Sequence, residues 1–218
     1  MPALEIVYGR NAVAEAKRGR RGVHRVLTAD ELGADELTRL AGSPDHQGVV
    51  AEVDPYPYAG ADELLEPTDG VIVALDQVQD PRNLGAVCRS AEVAGARGVV
   101  ICERRAAQVT PAACKASAGA VEHLAIARVR NLADWLATAK RAGAWIYGAD
   151  GGAAARYDEP DYDGLAVLVL GGEGKGIRPR VAAVCDVLVS IPRAGRVESL
   201  NVSAAAAVLL FEVVRCHG

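Results

Sequence analysis

The stretch 190–211, SIPRAGRVESLNVSAAAAVLLF, joins a strand to an apolar helix through a polar loop. Its first residue, Ser190, directly follows the apolar run 187–189. Such a run is typical of a strand buried in a sheet. The loop has Gly195 at its middle, and Ser199 or Asn201 can cap the helix that follows. This helix is apolar on nearly every face, which predicts that it is buried. Polar side chains held between two buried elements indicate a functional site in the loop.

Two earlier stretches have the same organisation. The apolar strand 71–75 is followed by DQVQDPRNLG at 76–85 and then by a helix. The apolar strand 165–170 is followed by the glycine-rich loop GGEGKG at 171–176. In parallel α/β sheets, ligands bind at the carboxyl ends of the strands. We therefore expect the three loops to converge on one pocket.

Length and composition exclude several classes of protein. With 218 residues, of which 50% are hydrophobic, the chain predicts one large domain or one domain with a small appendage. It has no apolar run of about 18 residues, so we expect no membrane span. The N-terminus lacks the apolar core of a signal peptide, which favours a cytoplasmic protein. The five cysteines are scattered and show no metal-ligand spacing, which indicates reduced thiols and no bound metal.

Positive charge is concentrated near the N-terminus of a chain whose net charge is −4. Between Gly9 and Arg25, one acid, Glu15, accompanies six basic residues. They are Arg10, Lys17, Arg18, Arg20, Arg21 and Arg25. A basic patch on an acidic protein is typical of a polyanion binder, and a solvated helix end is the alternative.

The order of the predicted elements indicates an α/β fold. Residues 1–54 predict a small α/β lobe with helices at 11–18 and 35–41 and strands at 23–27 and 47–53. The segment 55–68, which begins with two prolines and a glycine among tyrosines, is interpreted as a linker. Within 69–218, we expect strands at 71–75, 98–101, 124–129, 145–148, 165–170 and 187–190, and helices at 83–94, 111–117, 132–141, 179–185 and 199–215. This alternation predicts a mostly parallel sheet with helices on both faces.

Two common nucleotide-binding motifs are absent from the loops. The first strand of the large domain ends in Asp76-Gln77-Val78, without the GxGxxG of a dinucleotide site. In GGEGKG, Lys175 is followed by Gly176 where a P-loop has the Ser or Thr that binds magnesium. The histidines lie outside the loops, so no Ser/His/Asp set is visible either.

Taken together, the three loops resemble the motifs of one family. The motifs are DPRNLG at 80–85 with Arg89, LGGEG at 170–174 with Gly176, and Ile191-Pro192 followed by SLNVS at 199–203. They are similar to those of the SpoU (TrmH-like) RNA ribose 2′-O-methyltransferases of the SPOUT class. The resemblance covers 69–218. YGRNAV at 8–13 and HQGV at 46–49 resemble the small RNA-binding lobe of the branch that methylates a guanosine ribose in 23S ribosomal RNA.

The resemblance implies a fold, a cofactor and an assembly. The fold would contain a C-terminal trefoil knot, which general topology rules would not have predicted. The cofactor would be S-adenosyl-L-methionine, held by backbone groups, and the protein would be a homodimer. The cofactor-binding positions carried over are Gly171, Gly172, Gly176, Ile191 and Leu200. The catalytic positions carried over are Asn83, Arg89, Glu173, Ser199 and Asn201.

Methyl transfer to a ribose hydroxyl requires alignment of the reactants and removal of a proton. Glu173 can polarise the hydroxyl or orient Arg89. Because the pKa of an arginine lies above ~12, we interpret Arg89 as a phosphate clamp and not as a base. Asn83 and Asn201 can hold loops or substrate by hydrogen bonds. Capping of a loop is the alternative role for Asn201 and Ser199.

The expected partner is RNA, bound through Arg10, Lys17, Arg18, Arg20 and Arg21. The resemblance favours 23S ribosomal RNA as the substrate, with transfer RNA as the alternative. An RNA-binding protein without catalysis is the alternative from a different class. Two departures from the family pattern concern RNA recognition. Glu198 stands where relatives often have a small residue, and the N-terminal lobe is short.

Overall fold

The computed structural model describes residues 3–66, 68–172, 174 and 176–217, so Glu173 lies outside the described residues. The N-terminal lobe is built on a three-stranded antiparallel sheet in the order β1-β3-β2. Its strands are β1 (Glu5–Tyr8), β2 (Val23–Thr28) and β3 (Val49–Val53). Its helices are α1 (Arg10–Ala16), α2 (Ala29–Leu32) and α3 (Ala34–Ala41), with a 3₁₀ turn at Pro44–His46.

The larger domain contains a seven-stranded sheet whose paired strands are all parallel. The strands are β4 (Gly70–Asp76), β5 (Gly98–Cys102), β6 (Ala125–Val129), β7 (Trp145–Ala149), β8 (Ala155–Arg156), β9 (Leu165–Gly171) and β10 (Val187–Ser190), in the order β6-β5-β4-β9-β7-β10-β8. The helices are α4 (Pro81–Val93), α5 (Pro111–Ala116), α6 (Leu132–Arg141), α7 (Pro179–Ala182) and α8 (Val202–His217), with 3₁₀ turns at Glu63–Leu65 and Ala120–Glu122.

Side chains alternate between the two faces of the sheet along each strand, and both faces are covered. In β4, Val71, Val73 and Leu75 belong to a core cluster that also contains buried residues of α4, α5 and α8. Ile72 and Ala74 belong to a second cluster with α6 and α7. Strands buried on both sides are continuous apolar runs, as the sequence has here. The predicted α/β class with a mostly parallel sheet and helices on both faces is confirmed.

Several predicted boundaries were wrong. Strand β1 was not predicted, and the strand expected at 47–53 begins at Val49. The reason is that Gln47 and Gly48 adopt positive φ values of 55° and 80°, which a strand does not allow. Helix α1 begins at Arg10 after Gly9, one residue earlier than expected. The final helix begins at Val202 instead of residue 199, because Asn201 caps it.

The final helix, which we expect to be buried, is covered only in part within a single chain. Ala206 and Leu210 have no exposed surface and pack into the core. On another side of the helix, Phe211 is 48% exposed and Val214 is 39% exposed. A single chain therefore covers α8 only in part.

The segment interpreted as a linker, 55–68, is anchored to the large domain. The hydroxyl of Tyr56 donates to the carbonyl oxygens of Val121, at 2.8 Å, and Leu124, at 3.2 Å. The Tyr58 hydroxyl accepts from the Val109 amide at 2.9 Å. Ala59 then forms an isolated parallel bridge to Ala127 of β6. The described part of this segment is thus held against the sheet.

The chain reaches α8 by a path that brings two loops together. From β10, which pairs with β7 and β8, it passes through 191–201 and enters α8, which packs against α4 and β9. The trefoil knot that the resemblance implies stays a prediction. Among the described residues, no helix combines the length and apolar character needed to span a bilayer.

Candidate active site

A cavity of about 380 Å³ lies at the carboxyl edge of the large sheet. Its walls come from the residues that follow β7, β9 and β10, together with the start of α8. All five cofactor positions carried over from the resemblance line it, together with Ser199. They are Gly171, Gly172, Gly176, Ile191 and Leu200. The convergence of the second and third loops is therefore a property of the fold.

The glycines of the second loop are required by close approaches of the backbone. A Cβ atom added to Gly171 would overlap the carbonyl group of Gly176. One added to Gly172 would lie 2.5 Å from the carbonyl oxygen of Gln77, in the first loop. The Gly172 amide donates to the Asp76 carbonyl at 3.0 Å, and the Gly176 amide donates to the Gly172 carbonyl at 3.1 Å. The loop is consequently folded back on itself without room for a side chain at these positions.

Asp76 fixes this loop from the end of β4. Its carboxylate is fully buried and accepts hydrogen bonds from the Nε atom and the backbone amide of Arg178, both at 2.8 Å. The hydrogen bond to Asp76 raises the pKa of the Arg178 guanidinium, which therefore keeps its charge. Asp76 was not predicted as a positioning residue. The available signal was a carboxylate at the last position of an apolar strand.

The first loop meets the third through a pair of asparagines. The Asn201 Nδ2 atom donates to Oδ1 of Asn83 at 3.1 Å, and Asn83 is only 9% exposed. Oδ1 of Asn201 accepts from the backbone amide of Ser203 at 2.8 Å, which caps α8. Asn201 therefore caps a helix and joins two motifs that are 118 residues apart.

Charged groups of both signs surround the cavity. Asp150 and Glu198 line it, and so does Arg193. The Arg193 guanidinium donates to the carbonyl oxygens of Glu198 and, at 3.2 Å, Gly151, which joins the loops after β7 and β10. The contribution of the loop after β7 was not predicted from the sequence. That loop lacks a recognisable motif, and strand order alone brings it here.

The chemistry of this lining fits S-adenosyl-L-methionine. The aliphatic side chains of Leu170, Ile177 and Val189, next to backbone groups of the glycine loop, suit an adenine ring. Asp150 and Glu198 supply negative charge for the sulfonium and amino groups, and Arg193 supplies positive charge for the carboxylate. The residues present therefore match both the apolar and the charged parts of the molecule.

Arg89 lies apart from the cavity within one chain. It is exposed on α4, six residues after Asn83, which corresponds to about 9 Å along the helix axis. It is not among the described residues that line the cavity. The catalytic positions thus divide into Asn83, Ser199 and Asn201 at or beside the cavity, and Arg89 farther along α4.

The structure corrects the expectation for Arg21. This residue is 5% exposed, and its Nε donates to the buried carboxylate of Glu122 at 3.0 Å. Its Nη1 donates to Glu5 at 3.1 Å. Because the guanidinium is buried and paired, it cannot contact an RNA phosphate. The charge pattern gave no sign of this, since Glu122 lies 101 residues away.

The other basic residues predicted to bind RNA are exposed. Lys17 has no described ion pair, and Arg18 forms a surface pair with Glu15 at 2.8 Å. Arg20 donates from Nη2 to the Leu124 carbonyl at 2.5 Å, and Arg10 donates from Nε to the Gln47 carbonyl at 3.3 Å. These contacts leave charged atoms at the surface of the lobe.

Comparisons with known proteins agree with this geometry. Residues 70–211 match the model of the SpoU rRNA Methylase family. The chain is 36% identical, over 99% of its length, to an uncharacterized tRNA/rRNA methyltransferase of Synechocystis, and covers 64% of that protein. It is 38% identical, over 97% of its length, to YacO of Bacillus subtilis, which is assigned to the TrmH family of tRNA/rRNA methyltransferases, and covers 95% of it.

Among solved structures, the chain is similar to the SpoU methyltransferase AviRb of Streptomyces viridochromogenes, determined in complex with AdoMet. The two are 26% identical, with a TM-score of 0.82 over 99% of this chain and 91% of that one. The family match extends from the first strand of the large sheet into its last helix and so includes all three loops. This chain belongs to the SpoU/TrmH family of the SPOUT class, whose members are RNA methyltransferases that use S-adenosyl-L-methionine.

Proposed function

We propose that this protein is a cytoplasmic, homodimeric ribose 2′-O-methyltransferase that acts on 23S ribosomal RNA. The observation that carries the proposal is the hydrogen bond between Asn83 and Asn201 beside the cavity. It joins the first and third motifs at the edge of the pocket to which the second motif contributes its glycines. A purely structural protein has no need for three polar loops at one edge of a buried sheet.

The cofactor is held by the backbone of the glycine loop and by apolar side chains. Gly171, Gly172 and Gly176 present backbone groups to the cavity, while Ile191 and Leu200 close it from the third loop. When bound, S-adenosyl-L-methionine supplies a methyl group on a sulfonium, which makes it electrophilic. Arg193 holds the third loop against Gly151 and thereby keeps the cavity narrow.

The remaining catalytic positions act on the RNA. Arg89 binds a phosphate next to the acceptor ribose and so positions its 2′-oxygen. Glu173, outside the described residues, accepts a hydrogen bond from the hydroxyl or orients Arg89. Ser199 lines the cavity and offers a hydroxyl to the substrate or to the loop. Asn83 and Asn201 keep the loops in register without titrating.

RNA recognition is assigned to residues 1–54, with 55–68 as the connecting segment and 69–218 as the methyltransferase domain. Arg10, Lys17, Arg18 and Arg20 provide positive charge on the surface of the lobe. The resemblance of the sequences at 8–13 and 46–49 to an rRNA-specific branch supports ribosomal RNA over transfer RNA.

Dimerisation is supported by an apolar surface that one chain leaves open. Asn83 and Asn201 contact each other near the starts of α4 and α8, and the two helices pack side by side. Val93 is 66% exposed and Phe211 48%. Val214, three residues after Phe211 on α8, is 39% exposed. A second copy of this chain would cover these exposed apolar side chains.

The deciding experiment maps 2′-O-methyl groups in RNA from cells with and without the gene. We expect one position in 23S ribosomal RNA to lose its methyl group, and to regain it when the purified protein and S-adenosyl-L-methionine are added. Loss of a methyl group from transfer RNA instead would assign the alternative substrate. Unchanged maps, with no heat of S-adenosyl-L-methionine binding in calorimetry, would support the non-catalytic alternative.

The roles of Arg89 and Glu173 predict a separation of turnover from cofactor binding. Arg89→Ala and Glu173→Gln should each lower kcat at least tenfold and leave the Kd of S-adenosyl-L-methionine within a few-fold. Arg89→Lys should recover only part of the activity, because an ammonium cannot bind a phosphate through two parallel hydrogen bonds. Calorimetry and single-turnover methylation provide the two readouts. Equal losses of affinity and turnover would mean that the residue shapes the pocket instead.

A further inference from the structure

Exposed arginines from two segments of the large domain meet at one edge of its sheet. Arg104 and Arg105 follow β5, and Arg130 follows β6. In the parallel pairing of these strands, Cys102 is in register with Val129, which brings the residues that follow each strand together. Glu103, Arg104 and Arg130 line a shared cavity of about 330 Å³. We name Arg104, Arg105 and Arg130 the strand-edge patch.

The positive charge of this patch is only weakly compensated. Among the described residues that line the cavity, Glu103 is the acid, and its Oε2 lies 3.8 Å from Nε of Arg130. The Arg130 side chain is 92% exposed, and ion pairs of this kind contribute little. The patch therefore concentrates positive charge on a chain whose net charge is −4. Such a concentration attracts polyanions.

The backbone under the patch is ordered by hydrogen bonds. Nε2 of Gln108 donates to the carbonyl oxygens of Cys102, at 3.1 Å, and Ala106, at 3.2 Å, which closes the loop. The Glu103 amide donates to the Val129 carbonyl at 2.9 Å, and the Ala107 amide donates to the Val78 carbonyl at 2.8 Å. Arg105 is held at a φ of 58°, a conformation that is uncommon for a residue with a side chain. The arginines therefore stand on a fixed loop and lose less entropy when they bind.

The patch lies between the cofactor cavity and the N-terminal lobe. The bond from Ala107 to Val78 joins its loop to the first motif loop, which follows β4. Strand β4 is next to β9, whose glycine loop lines the cofactor cavity. In the other direction, Arg20 of the lobe contacts Leu124, just before β6 begins. From Leu124 to Arg130 the chain covers roughly 20 Å.

One more arginine lies between these points. Arg128 of β6 is exposed, and its guanidinium carbon is 3.9 Å from the centroid of the Tyr58 ring. A guanidinium stacked on an aromatic ring keeps its edge free for hydrogen bonds to a phosphate. Positive charge is therefore available at intervals from the lobe to the carboxyl edge of the sheet.

We propose that the strand-edge patch binds the phosphate backbone of the substrate RNA between the segment held by the N-terminal lobe and the nucleotide at the cofactor cavity. The proposal rests on the proposed function and extends it, because it adds a binding surface on the methyltransferase domain itself. Arginines that contact only phosphates contribute affinity and register but do not read the base sequence.

The test is the salt dependence of RNA binding by the full-length protein. The variant carries Arg104→Gln, Arg105→Gln and Arg130→Gln, and the probe is a fluorescein-labelled single-stranded RNA of mixed sequence. Each lost phosphate contact should reduce the slope of log affinity against log salt by about 0.7. We expect two to three contacts to be lost, hence a reduction of roughly 1.4 to 2.1. The Kd of S-adenosyl-L-methionine should stay within twofold.

A matched control removes the same number of charges elsewhere. Arg141→Gln, Arg156→Gln and Arg180→Gln change exposed arginines of the large domain outside the patch and the proposed site, and should leave the slope at the parental value. The single variant Arg130→Gln, at a side chain 92% exposed, guards against misfolding of the triple variant and should reduce the slope by about 0.7. A parental slope in the triple variant and in Arg130→Gln would overturn the proposal. Failure of the parental protein to methylate any RNA would instead overturn the proposed function.

Discussion

A few charged residues form the contact between the N-terminal lobe and the large domain. The side chains of Arg21 and Glu122 are only 2% and 1% exposed, and Glu5 joins them from β1. Burial alone would lower the pKa of Arg21, but its hydrogen bonds to Glu122 and Cys114 and the nearby negative charge together outweigh burial, and the net shift is upward. The Tyr56 amide donates to the same Glu5 carboxylate at 3.1 Å. The lobe, the connecting segment and the large domain therefore share one charge cluster, in which Arg21 and Glu122 are buried and the Glu5 side chain is 40% exposed.

Removing Arg21 from its pair with Glu122 should destabilise the fold, because the remaining carboxylate would be buried without a partner. We predict that Arg21→Met lowers the free energy of unfolding by about 3–5 kcal/mol. The double variant Arg21→Met, Glu122→Leu should recover most of the loss, since no buried charge is left unpaired. Urea unfolding measures both. Arg39→Met, at an exposed pair with Glu36, is the control and should stay within about 0.5 kcal/mol. Parental stability of Arg21→Met would contradict this account.

Among the elements, the glycine loop after β9 is the one in which close backbone contacts leave no room for a Cβ atom. Gly171→Ala should weaken the binding of S-adenosyl-L-methionine at least tenfold, because its Cβ would overlap the Gly176 carbonyl and open the loop. Gly195→Ala is the matched control in the third loop, where an added Cβ meets nothing within 4 Å. Calorimetry with the cofactor distinguishes the two variants. Equal affinities in both would show that the cavity tolerates a wider loop.

The elements of the large domain were predictable because strands buried on both faces are continuous apolar runs between helices with clear signals. Thr110, Asn131 and Asp80 cap helices through their side chains, as their types indicate. Strand β1 was missed because four residues, one of them charged, are too few to show the periodicity of a strand. Its strand conformation depends on pairing with β3, 42 or more residues away in the sequence.

The candidate site was predictable wherever a motif marks it. The three loops carry their signals locally, as glycines, asparagines and prolines. The contribution of Asp150 depends on β7 lying between β9 and β10, which strand order decides and local sequence does not. The misassignment of Arg21 has the same origin. A charge that is paired across the fold cannot be distinguished from a surface charge until its partner is located.

At the scale of the whole molecule, the exposed apolar side chains of α4 and α8 predict self-association. Complete burial of a fully exposed side chain of this kind contributes roughly 1.5–3 kcal/mol, so covering these partly buried ones contributes a part of that. A two-fold symmetric interface buries each side chain in both copies. Phe211→Glu should therefore give monomers in sedimentation velocity without loss of the folded state. Leu4→Glu, at a side chain that is 46% exposed on the N-terminal lobe, is the control and should leave the assembly unchanged. A dimer that survives Phe211→Glu would place the interface elsewhere.

The anchoring of the segment 55–66 bears on how a target nucleotide is chosen. The hydroxyl groups of Tyr56 and Tyr58 hydrogen-bond the segment to the backbone of Val121, Leu124 and Val109. The lobe is therefore not connected by a flexible linker. The distance from the lobe to the cavity is therefore fixed by the fold. With the RNA docked on the lobe and a ribose as acceptor, as we propose, a cognate RNA must present its docking element and its acceptor ribose at that one separation. Inserting a nucleotide between them should move the methyl group to the neighbouring ribose or abolish it.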